Sequence, residues 1–508
     1  NMSSNINAED WIRYRSKYAP EYEALIDLNS GRRYDYSAMD ARVDRAASYL
    51  QNTLGVAVGD RVAVLCMNDS DVFELQFACQ RVGAVFLPIN WRLAVQEIVF
   101  ICSDATPDVL VSGMEFIDSA RKVAEEAGIA HVVTLNNGGD SDYETGLGNA
   151  PAEYNEVTPD LSDTWTIMYT SGTTGRPKGA LITYQMALYN AVHATQAVDL
   201  TSRSKNLVVL PTFHTGGLNV YANPAFHAGG CNVVLRSFEP AQFLDLLTDK
   251  ELGLTHVLAV PTNFIMTSQV PGFAEADLSH LESIGVGAAA APLTLIQEYS
   301  GKGLMMQQMW GMTETAPLGL VLPKEQTLNK VGSSGLPLNH LRLKICDDDG
   351  NAVGDNVTGE LMIKGPTVTP GYWKRDEANE QSFTEDGWFH TGDAARRDED
   401  GFYFIVDRWK DMFISGGENV YPAEVENIMY QLDGILEVAV VGIPHDKWGE
   451  VGRAYVVLKE GANLGADEIT AHCKENLATF KVPKEVQMID ELPHNATGKI
   501  LKHQLPRD

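Results

Sequence analysis

Basic residues are scarce in this chain of 508 residues: 39 Lys and Arg stand against 68 Asp and Glu, which gives a formal net charge of −29. Nucleic acids and anionic membrane surfaces bind proteins through basic patches that displace counterions. The composition therefore argues against both as partners. It does not exclude an anionic nucleotide, because a local group of Lys, Arg and a metal ion can reverse the field within one cleft.

Cysteines and long apolar runs are also few. The six cysteines are scattered, without a Cys-x-x-Cys pair, which is typical of reduced cytoplasmic thiols rather than of disulfides or a zinc site. The first ten residues lack the order of a signal peptide, and no run of about 18 apolar residues occurs. We expect a soluble cytoplasmic protein without an integral membrane segment. Its oligomeric state stays open, with a homodimer among the alternatives.

A Walker A motif is missing, yet one loop has the composition of a phosphate site. Residues 169–179 read Tyr-Thr-Ser-Gly-Thr-Thr-Gly-Arg-Pro-Lys-Gly and lie between two apolar runs that predict strands. Small residues allow close backbone approach to a phosphate, while hydroxyl and N–H groups donate and Arg176 and Lys178 supply charge. A Ser/Thr/Gly linker is the alternative. The flanking strands favour the phosphate loop.

Strand-like and helical patterns alternate over most of the chain. Residues 61–66 and 83–88 predict strands, and apolar residues spaced by three and four within 70–82 predict a helix between them. Such alternation is typical of the α/β class with largely parallel sheets. Residues 341–364 instead predict a small β-rich subdomain. We place the major boundary near 407–411, so that residues 1–406 form a large domain of layered α/β subdomains and residues 411–508 a small α+β domain.

Three further polar segments carry candidate ligands. In residues 308–315, Trp310 can stack on a purine, Thr313 can donate to a phosphate, and Glu314 is a hard oxygen ligand suited to Mg²⁺. The carboxylate of Asp393 can accept hydrogen bonds from ribose hydroxyls, and Lys499 lies between a turn and an apolar run. Taken singly, the residues at 308–315 are equally compatible with a surface turn, whereas Asp393 and Lys499 are more typical of ordinary surface charges.

Together these segments resemble, in order and spacing, the motifs of the acyl-adenylate-forming enzymes: acyl-CoA synthetases, peptide adenylation domains and beetle luciferases. The motifs are YTSGTTGRPKG at 169–179, WGMTET at 310–315, TGD at 391–393, DRWKDMFISGGENVYPAEVE at 407–426 and NATGK at 495–499. The resemblance extends from about residue 27 to residue 502. Such enzymes join a carboxylate to the α-phosphate of ATP, release pyrophosphate, and pass the acyl group to a thiol.

The resemblance implies roles in the first, adenylating step. Lys499 corresponds to the lysine that bridges the carboxylate and the α-phosphate, Glu314 to the Mg²⁺ ligand, and Asp393 and Arg408 to the ribose contacts. Trp310 stands where the family usually has Tyr or Phe. The residues implied to bind ATP or AMP are Thr170, Ser171, Gly172, Thr173, Thr174, Gly175, Lys178, Gly287, Ala288, Ala289, Met309, Trp310, Gly311, Met312, Thr313, Asp393, Arg408 and Lys499.

In the family that the chain resembles, the second step requires rotation of the small domain and a path by which the thiol reaches the acyl-adenylate. The resemblance makes residues 407–410 the hinge, with Lys410 the residue about which the small domain rotates. It assigns coenzyme A binding to Ser415, Gly416, Gly417, Trp448, Phe480 and Lys481. Val482 is not basic, although relatives often carry a basic residue shortly after the second aromatic platform.

The sequence says least about which carboxylic acid the enzyme would use. Amino-acid-activating relatives carry Phe-Asp-x-Ser after the strand at 206–210, whereas this chain has Phe-His-Thr-Gly-Gly at 213–217, with His214 at the pocket edge. An ordinary hydrogen-bonded loop histidine is the alternative for His214. The implied acyl pocket consists of His214, Gly216, Gly217, Leu218, Asn219 and Met312. It contains no Arg or Lys, so a dicarboxylate is disfavoured, because its second carboxylate would be buried without a counter-charge.

The resemblance implies an ATP- and Mg²⁺-dependent ligase that joins a carboxylic acid to coenzyme A, and the composition of the implied pocket favours an uncharged fatty, aromatic or phenylpropenoic acid. Three alternatives stay open: a stand-alone enzyme that loads a carrier protein, a luciferase-type oxygenase, and a nucleotide-binding module without catalysis. Lys499, Glu314 and the loop at 169–179 argue against the last of these.

Overall fold

The computed structural model describes residues 3–93, 95–170, 177–288, 290–408, 411–416, 418–477, 479–494 and 500–508. The helices are α1 Trp11–Tyr18, α2 Tyr36–Ser48, α3 Ser70–Val82, α4 Val95–Ala105, α5 Ile117–Ala127, α6 Asp142–Asn149, α7 Tyr184–Val198, α8 Ala222–Ala228, α9 Pro240–Thr248, α10 Pro261–Ser268, α11 Leu293–Ser300, α12 Asp376–Ser382, α13 Pro422–Met429 and α14 Ala466–Asn476. Short π-helical or 3₁₀ segments occupy Tyr49–Thr53, Met114–Phe116, Gly216–Val220, Thr313–Thr315, Lys324–Gln326, Thr479–Lys481 and Lys502–Gln504. None of the described helices combines the length and apolar composition that a bilayer crossing requires.

The strands follow in chain order. They are β1 Glu23–Asp27, β2 Arg33–Asp35, β3 Arg61–Leu65, β4 Val85–Pro88, β5 Val109–Gly113, β6 His131–Leu135, β7 Thr164–Thr170, β8 Lys178–Thr183, β9 Lys205–Val208, β10 Cys231–Val234, β11 His256–Ala259, β12 Ser283–Val286, β13 Met306–Gly311, β14 Leu318–Val321, β15 Leu336–Pro337, β16 Arg342–Cys346, β17 Gly359–Lys364, β18 Phe389–Arg397, β19 Tyr403–Arg408, β20 Phe413–Ser415, β21 Glu418–Val420, β22 Ile435–His445, β23 Gly449–Leu458 and β24 Glu485–Met488.

The described strands form four sheets. A nine-stranded sheet has the order β15-β14-β13-β12-β11-β9-β10-β1-β2, and a six-stranded sheet has the order β6-β5-β3-β4-β7-β8. Their interior strands run parallel, and β2, β8, β14 and β15 are paired antiparallel at the edges. A four-stranded antiparallel sheet follows the order β16-β17-β18-β19. The last sheet contains β20 to β24 and, with α13 and α14, forms the small domain.

Hydrophobic clusters show how the two large sheets are layered. The largest cluster joins one face of the six-stranded sheet to side chains of α2, α3, α7 and α8. A second cluster covers the other face of that sheet with α4 and α5. A third packs α9, α10 and α11 against the nine-stranded sheet. Helices on both faces of mostly parallel sheets are the α/β architecture that the sequence predicts, and the prediction is confirmed.

The ends of α3 show how local sequence sets an element. Asp69 precedes the helix and its carboxylate accepts a hydrogen bond from the backbone N–H of Asp71. Gly83 ends the helix with φ 72°, a left-handed conformation that glycine adopts without strain. The helix thus has the bounds that the apolar spacing predicts, Ser70–Val82.

The whole of α3 is buried, including its charged residues. Arg81 is 1% exposed and donates to the carboxylates of Asp10, Asp40 and Asp44. A buried charge is costly unless it is paired and hydrogen-bonded. Three carboxylates around one guanidinium meet that condition, and they tie α3 to α2 and to the segment before α1.

The sequence-based bounds differ from the structure most clearly at the domain junction. The predicted strand ends at 406, whereas β19 continues through Arg408. Antiparallel pairing explains the extension, because Asp407 and Arg408 lie opposite Ala394 and Asp393 of β18. Residues 407 and 408 of the predicted hinge are therefore strand residues, and Trp409 and Lys410 lie outside the described residues. All six cysteines are free and buried.

Two histidines join α7 to the turn before β16. His193 Nε2 lies 2.9 Å from His340 Nδ1, and the rings stack with an interplanar angle of 20°. Burial, and then the neighbouring His340, lowers the pKa of His193 from 6.5 to about 4. The folded protein therefore holds His193 neutral under conditions in which an unfolded chain would bind a proton.

We predict that this pair makes stability depend on pH. Between pH 6.5 and about 4 the unfolded state binds a proton that the folded state excludes, so the free energy of unfolding should fall as the pH falls. His193→Gln should lower stability near neutral pH but flatten this dependence. Urea unfolding at a series of pH values measures both effects, with His390→Gln, on the exposed face of β18, as control. An unchanged slope in the His193 variant would contradict the prediction.

Candidate active site

The residues predicted to bind a nucleotide gather at one edge of the nine-stranded sheet. Strands β11, β12 and β13 run parallel, so their carboxyl ends lie side by side. Gly287 and Ala288 follow β12, while Met309, Trp310 and Gly311 complete β13. The side chain of Gln308 accepts a hydrogen bond from the N–H of Ala291 at 2.8 Å, which ties the two segments together. The carboxyl edge of a parallel sheet is the usual place for a ligand.

Trp310, Asp393 and Arg408 form one group between two sheets. The indole Nε1–H of Trp310 donates to Asp393 Oδ2 at 2.7 Å. Arg408 Nε lies 3.4 Å from Asp393 Oδ1, because the two residues face each other on β18 and β19. Side-chain exposure is 34% for Arg408 and 9% for Asp393. The carboxylate is thus oriented from one side by a buried indole, while its other oxygen lies beside a partly exposed guanidinium.

The indole of Trp310 fits this place because the neighbouring strand carries a glycine. A Cβ on Gly319 of β14 would lie 2.4 Å from Trp310 Cζ3. Trp310 is 7% exposed and packs in the hydrophobic cluster that holds the four-stranded sheet against β14. Its ring is therefore part of the core, and its N–H is the group that reaches the candidate site.

Glu314 and Lys178 both contact Tyr372, a residue outside the predicted site. The phenolic O–H of Tyr372 donates to Glu314 Oε2 at 2.7 Å, and Lys178 Nζ lies 4.5 Å from the centroid of the Tyr372 ring. Burial, and then the Glu314 carboxylate, raises the pKa of Tyr372, so the phenol keeps its proton and remains a donor. The segment at 371–374, Gly-Tyr-Trp-Lys, offered a signal: two aromatic residues in an otherwise polar stretch.

Both described arms of the predicted phosphate loop are anchored. On the first arm, the phenolic O–H of Tyr169 donates a hydrogen bond to Asp104 Oδ2 at 2.6 Å. On the second arm, the N–H of Trp373 donates to Gly179 O at 2.7 Å, and Ala180 pairs with Tyr372. Thr170 and Lys178 face each other on β7 and β8. The anchors hold the strand ends from which the loop extends.

Gly216, Gly217, Leu218 and Asn219 of the predicted acyl pocket lie on a π-helical turn, Gly216–Val220, and His214 lies just before it. The backbone N–H of Gly216 donates to His214 Nδ1 at 3.1 Å. A Cβ on Gly217 would lie 2.2 Å from Pro211 O, so close backbone contact requires glycine there. Leu218 is fully buried in the core, and Asn219 Oδ1 accepts from Asn223 at 2.8 Å. Met312 is half-buried and packs against the four-stranded sheet.

The residues predicted to bind the thiol lie in the small domain. Ser415 is buried in β20, and the N–H of Gly416 donates to Trp448 O at 2.8 Å. Trp448 is 41% exposed, which suits a stacking platform. Phe480 is half-buried in the turn Thr479–Lys481, and Lys481 Nζ pairs with Glu424 Oε1 at 2.7 Å. The ammonium of Lys481 thus already has a carboxylate partner.

Several predicted site residues fall outside the described part of the chain. They are Ser171, Gly172, Thr173, Thr174, Gly175 and Arg176 of the loop, Ala289, Lys410, Gly417 and Lys499. Their roles remain predictions.

Glu314 fits a Mg²⁺ ion that is carried by a nucleotide. In the described ranges, no three His, Cys, Asp or Glu side chains are grouped so as to hold a metal. Glu314 is 8% exposed and uses one oxygen for Tyr372, which leaves the other, a hard donor. Mg²⁺ commonly binds one or two carboxylates and completes its shell with phosphate oxygens and water. A single carboxylate is thus compatible with Mg²⁺ held by a polyphosphate.

Sequence comparison finds one family along the chain. The profile of the AMP-binding enzymes matches residues 12–373, and that of the AMP-binding enzyme C-terminal domain matches residues 424–499. The chain is 38% identical over 497 residues to a feruloyl-CoA synthase from Amycolatopsis, with 98% of both chains covered. It is 36% identical over 494 residues to a long-chain-fatty-acid–CoA ligase from Mycobacterium tuberculosis, covering 97% of this chain and 96% of the relative.

Solved structures of the same fold contain nucleotides. ATP-bound MatB from Rhodopseudomonas palustris superposes with a TM-score of 0.90 at 31% identity, and 98% of each chain is covered. The o-succinylbenzoate CoA synthetase of Bacillus subtilis, in complex with its acyl-adenylate intermediate, superposes with a TM-score of 0.86 at 32% identity and the same coverage.

We predict that the indole hydrogen bond to Asp393 supports the folded state. Trp310→Phe keeps an aromatic ring in the core but removes the donor, so it should lower the free energy of unfolding by about 1–3 kcal/mol. Urea unfolding measures the change. Trp388→Phe, at a half-buried tryptophan in contact with Lys344, is the matched control and should change stability by less than about 1 kcal/mol. Equal stability of the two variants would contradict the role given to the indole N–H.

Proposed function

The chain belongs to the AMP-binding enzyme family, and from this premise we propose that it is an ATP-dependent carboxylic acid:CoA ligase that forms AMP and pyrophosphate. The enzyme activates an uncharged fatty, aromatic or phenylpropenoic acid as its acyl-adenylate and then transfers the acyl group to coenzyme A. Two curated relatives are named feruloyl-CoA synthase and long-chain-fatty-acid–CoA ligase, others are named 2-succinylbenzoate–CoA ligase, and one structural neighbour contains an acyl-adenylate.

One observation carries the proposal for this chain: two groups of distant residues converge beside the edge of β12 and β13. Lys178, Tyr372 and Glu314 form the first group, and Trp310, Asp393 and Arg408 form the second. Glu314 follows Trp310 by four residues, so both groups lie against the same turn. A cation and a carboxylate suited to phosphates thus lie near a carboxylate and a guanidinium suited to a ribose.

In this proposal the two groups of residues bind different parts of the nucleotide. Asp393 Oδ1 and Arg408 take the ribose hydroxyls, and Gly287, Ala288 and Met309 line the adenine. Thr170, Thr313 and Lys178, with the loop between β7 and β8, hold the β- and γ-phosphates. Lys499 bridges the acid and the α-phosphate. The protein supplies charge and position for an in-line displacement, which is the main requirement of phosphoryl chemistry.

Glu314 would hold a Mg²⁺ ion that accompanies the nucleotide. When bound, it neutralises charge on the phosphate oxygens. Tyr372 has the supporting task of orienting the Glu314 carboxylate through its hydrogen bond, as partners of metal ligands commonly do.

The acid lies beside His214, Gly216 and Met312 in this proposal. The predicted pocket residues carry no Arg or Lys, so an apolar tail is favoured and a second carboxylate is not. Coenzyme A approaches along Ser415 and Gly416, with Trp448 and Phe480 as stacking platforms. The enzyme works in the cytoplasm, in keeping with six free thiols.

An acid panel tests the reaction class. Purified enzyme with ATP, Mg²⁺ and coenzyme A should release pyrophosphate with at least one apolar acid, and more slowly with the corresponding dicarboxylate. Coupled pyrophosphate detection measures both, and an assay with a phosphopantetheinyl carrier in place of coenzyme A separates the alternative acceptor. No AMP-forming turnover with any apolar acid, from folded enzyme, would overturn the proposal.

Two lysines should separate the half-reactions. Lys499→Ala should abolish adenylation yet spare thioester formation from a supplied acyl-adenylate, because the bridging charge is needed only in the first step. Lys410→Pro should do the reverse, since a proline restricts the backbone rotation of a hinge. Pyrophosphate exchange and thioester formation measure the two steps. Equal loss of both steps in either variant would refute this division.

A further inference from the structure

The small domain touches the large domain through the first residues of β22. Leu436 packs against the hydrophobic cluster of the nine-stranded sheet as well as against the core of its own domain. Next to it, Glu437 Oε1 accepts a hydrogen bond from Thr262 Oγ1 at 3.3 Å. Glu437 is 8% exposed. A carboxylate buried at a domain contact is costly unless it is paired, so its partners influence how readily this contact forms.

The second partner of Glu437 is His494. The Nε2–H of His494 donates to Glu437 Oε1 at 2.7 Å. This hydrogen bond raises the pKa of His494 above its ordinary value of 6.5, burial opposes the shift, and Glu491 adds a smaller attraction. Among the described residues, Glu437 and Glu491 are the charged groups that act on the imidazole, and α10 contributes the neutral Thr262.

His494 directly precedes the NATGK motif at 495–499 in the sequence, and the motif itself lies outside the described residues. The described residues on either side of the motif are held together. His494 pairs with Ile500, and the N–H of Leu501 donates to Pro493 O at 2.8 Å. After Ile500, Lys502 Nζ pairs with Glu426 Oε1 at 3.0 Å.

The large-domain side of this contact lies at the edge that carries the candidate site. Thr262 belongs to the first turn of α10, which begins two residues after β11 ends. Strand β12, the parallel neighbour of β11, leads directly into Gly287 and Ala288. The hydrogen bonds from Thr262 to Glu437 and from His494 to Glu437 therefore connect the edge that carries the candidate site to the residue that precedes the NATGK motif.

We propose that Thr262, Glu437 and His494 form an interdomain clasp that favours the domain arrangement used for adenylation. The clasp rests on the proposed function, because it assigns these three positioning residues to the first half-reaction. Thr262 is on the large domain and the other two are on the small domain, so rotation of the small domain breaks the Thr262 contact. A contact made in only one arrangement stabilises that arrangement relative to the other.

The charge of His494 gives the clasp a pH dependence. The imidazolium pairs with the Glu437 carboxylate, so the clasp is strongest below pH 6.5 and is lost as the pH rises through the raised pKa of His494. Adenylation should show this alkaline decline, whereas thioester formation, which uses the other arrangement, should not.

The experiment measures each half-reaction in matched variants. Thr262→Val removes the hydroxyl without changing the size of the side chain, and His494→Asn removes the titrating group. Each should slow adenylation roughly 3- to 10-fold, the effect of losing one hydrogen bond, and leave thioester formation from supplied acyl-adenylate unchanged or faster. His494→Arg should restore adenylation and abolish the alkaline decline. His472→Asn, at a histidine that bonds within the small domain, should change neither step.

Equal losses in both half-reactions, or an alkaline decline that persists in His494→Arg, would overturn the clasp. Hydrogen–deuterium exchange gives a readout that needs no catalysis: Thr262→Val should raise exchange across residues 258–264 and 435–440, and unchanged exchange would also overturn the clasp. A wild-type enzyme that makes no acyl-adenylate from any acid, yet shows this change in exchange, would overturn the proposed function and leave the interdomain contact supported.

Discussion

The parallel hydrogen bonding of β11, β12 and β13 is the constraint on which the candidate site depends. It aligns the carboxyl ends of three strands, so that the start of α10, the segment after Val286 and the turn Thr313–Thr315 come to one edge. The loop between β7 and β8 extends from the six-stranded sheet, and Asp393 and Arg408 lie on the four-stranded sheet. The site is thus assembled where three sheets meet.

At this meeting point single side chains serve both the core and the site. Trp310 fills space beside Gly319 and directs its indole N–H at Asp393. Tyr372 packs near β8 and orients Glu314. A carboxylate held by one fixed donor keeps its other oxygen in a defined direction, which is what ligand binding at a rigid edge requires. Glu437 likewise has two roles, because its one carboxylate is hydrogen-bonded to Thr262 of the large domain and to His494 of the small domain.

Much of the fold follows from local patterns. The bounds of α3 agree with the apolar spacing, and the alternation of strands and helices indicates parallel sheets. Local patterns do not reveal the pairing of Arg81 with three carboxylates, the extension of β19 through Arg408, or the contacts of Tyr372 and Glu437. Each of these depends on residues far apart in the chain; Glu314 and Tyr372 are separated by 58 positions, for example.

The sequence by itself determined the reaction class, because five ordered motifs resemble those of the acyl-adenylate-forming enzymes. It also determined the α/β class, since periodicity is a local property. Only the tertiary structure decided which of these side chains contact each other and which hydrogen bonds they form. The indole on Asp393, the phenol on Glu314 and the imidazole on Glu437 arise from packing between sheets and domains. Hydrogen bonds and charge pairing act through distances in space, and the order of residues along a chain does not specify those distances.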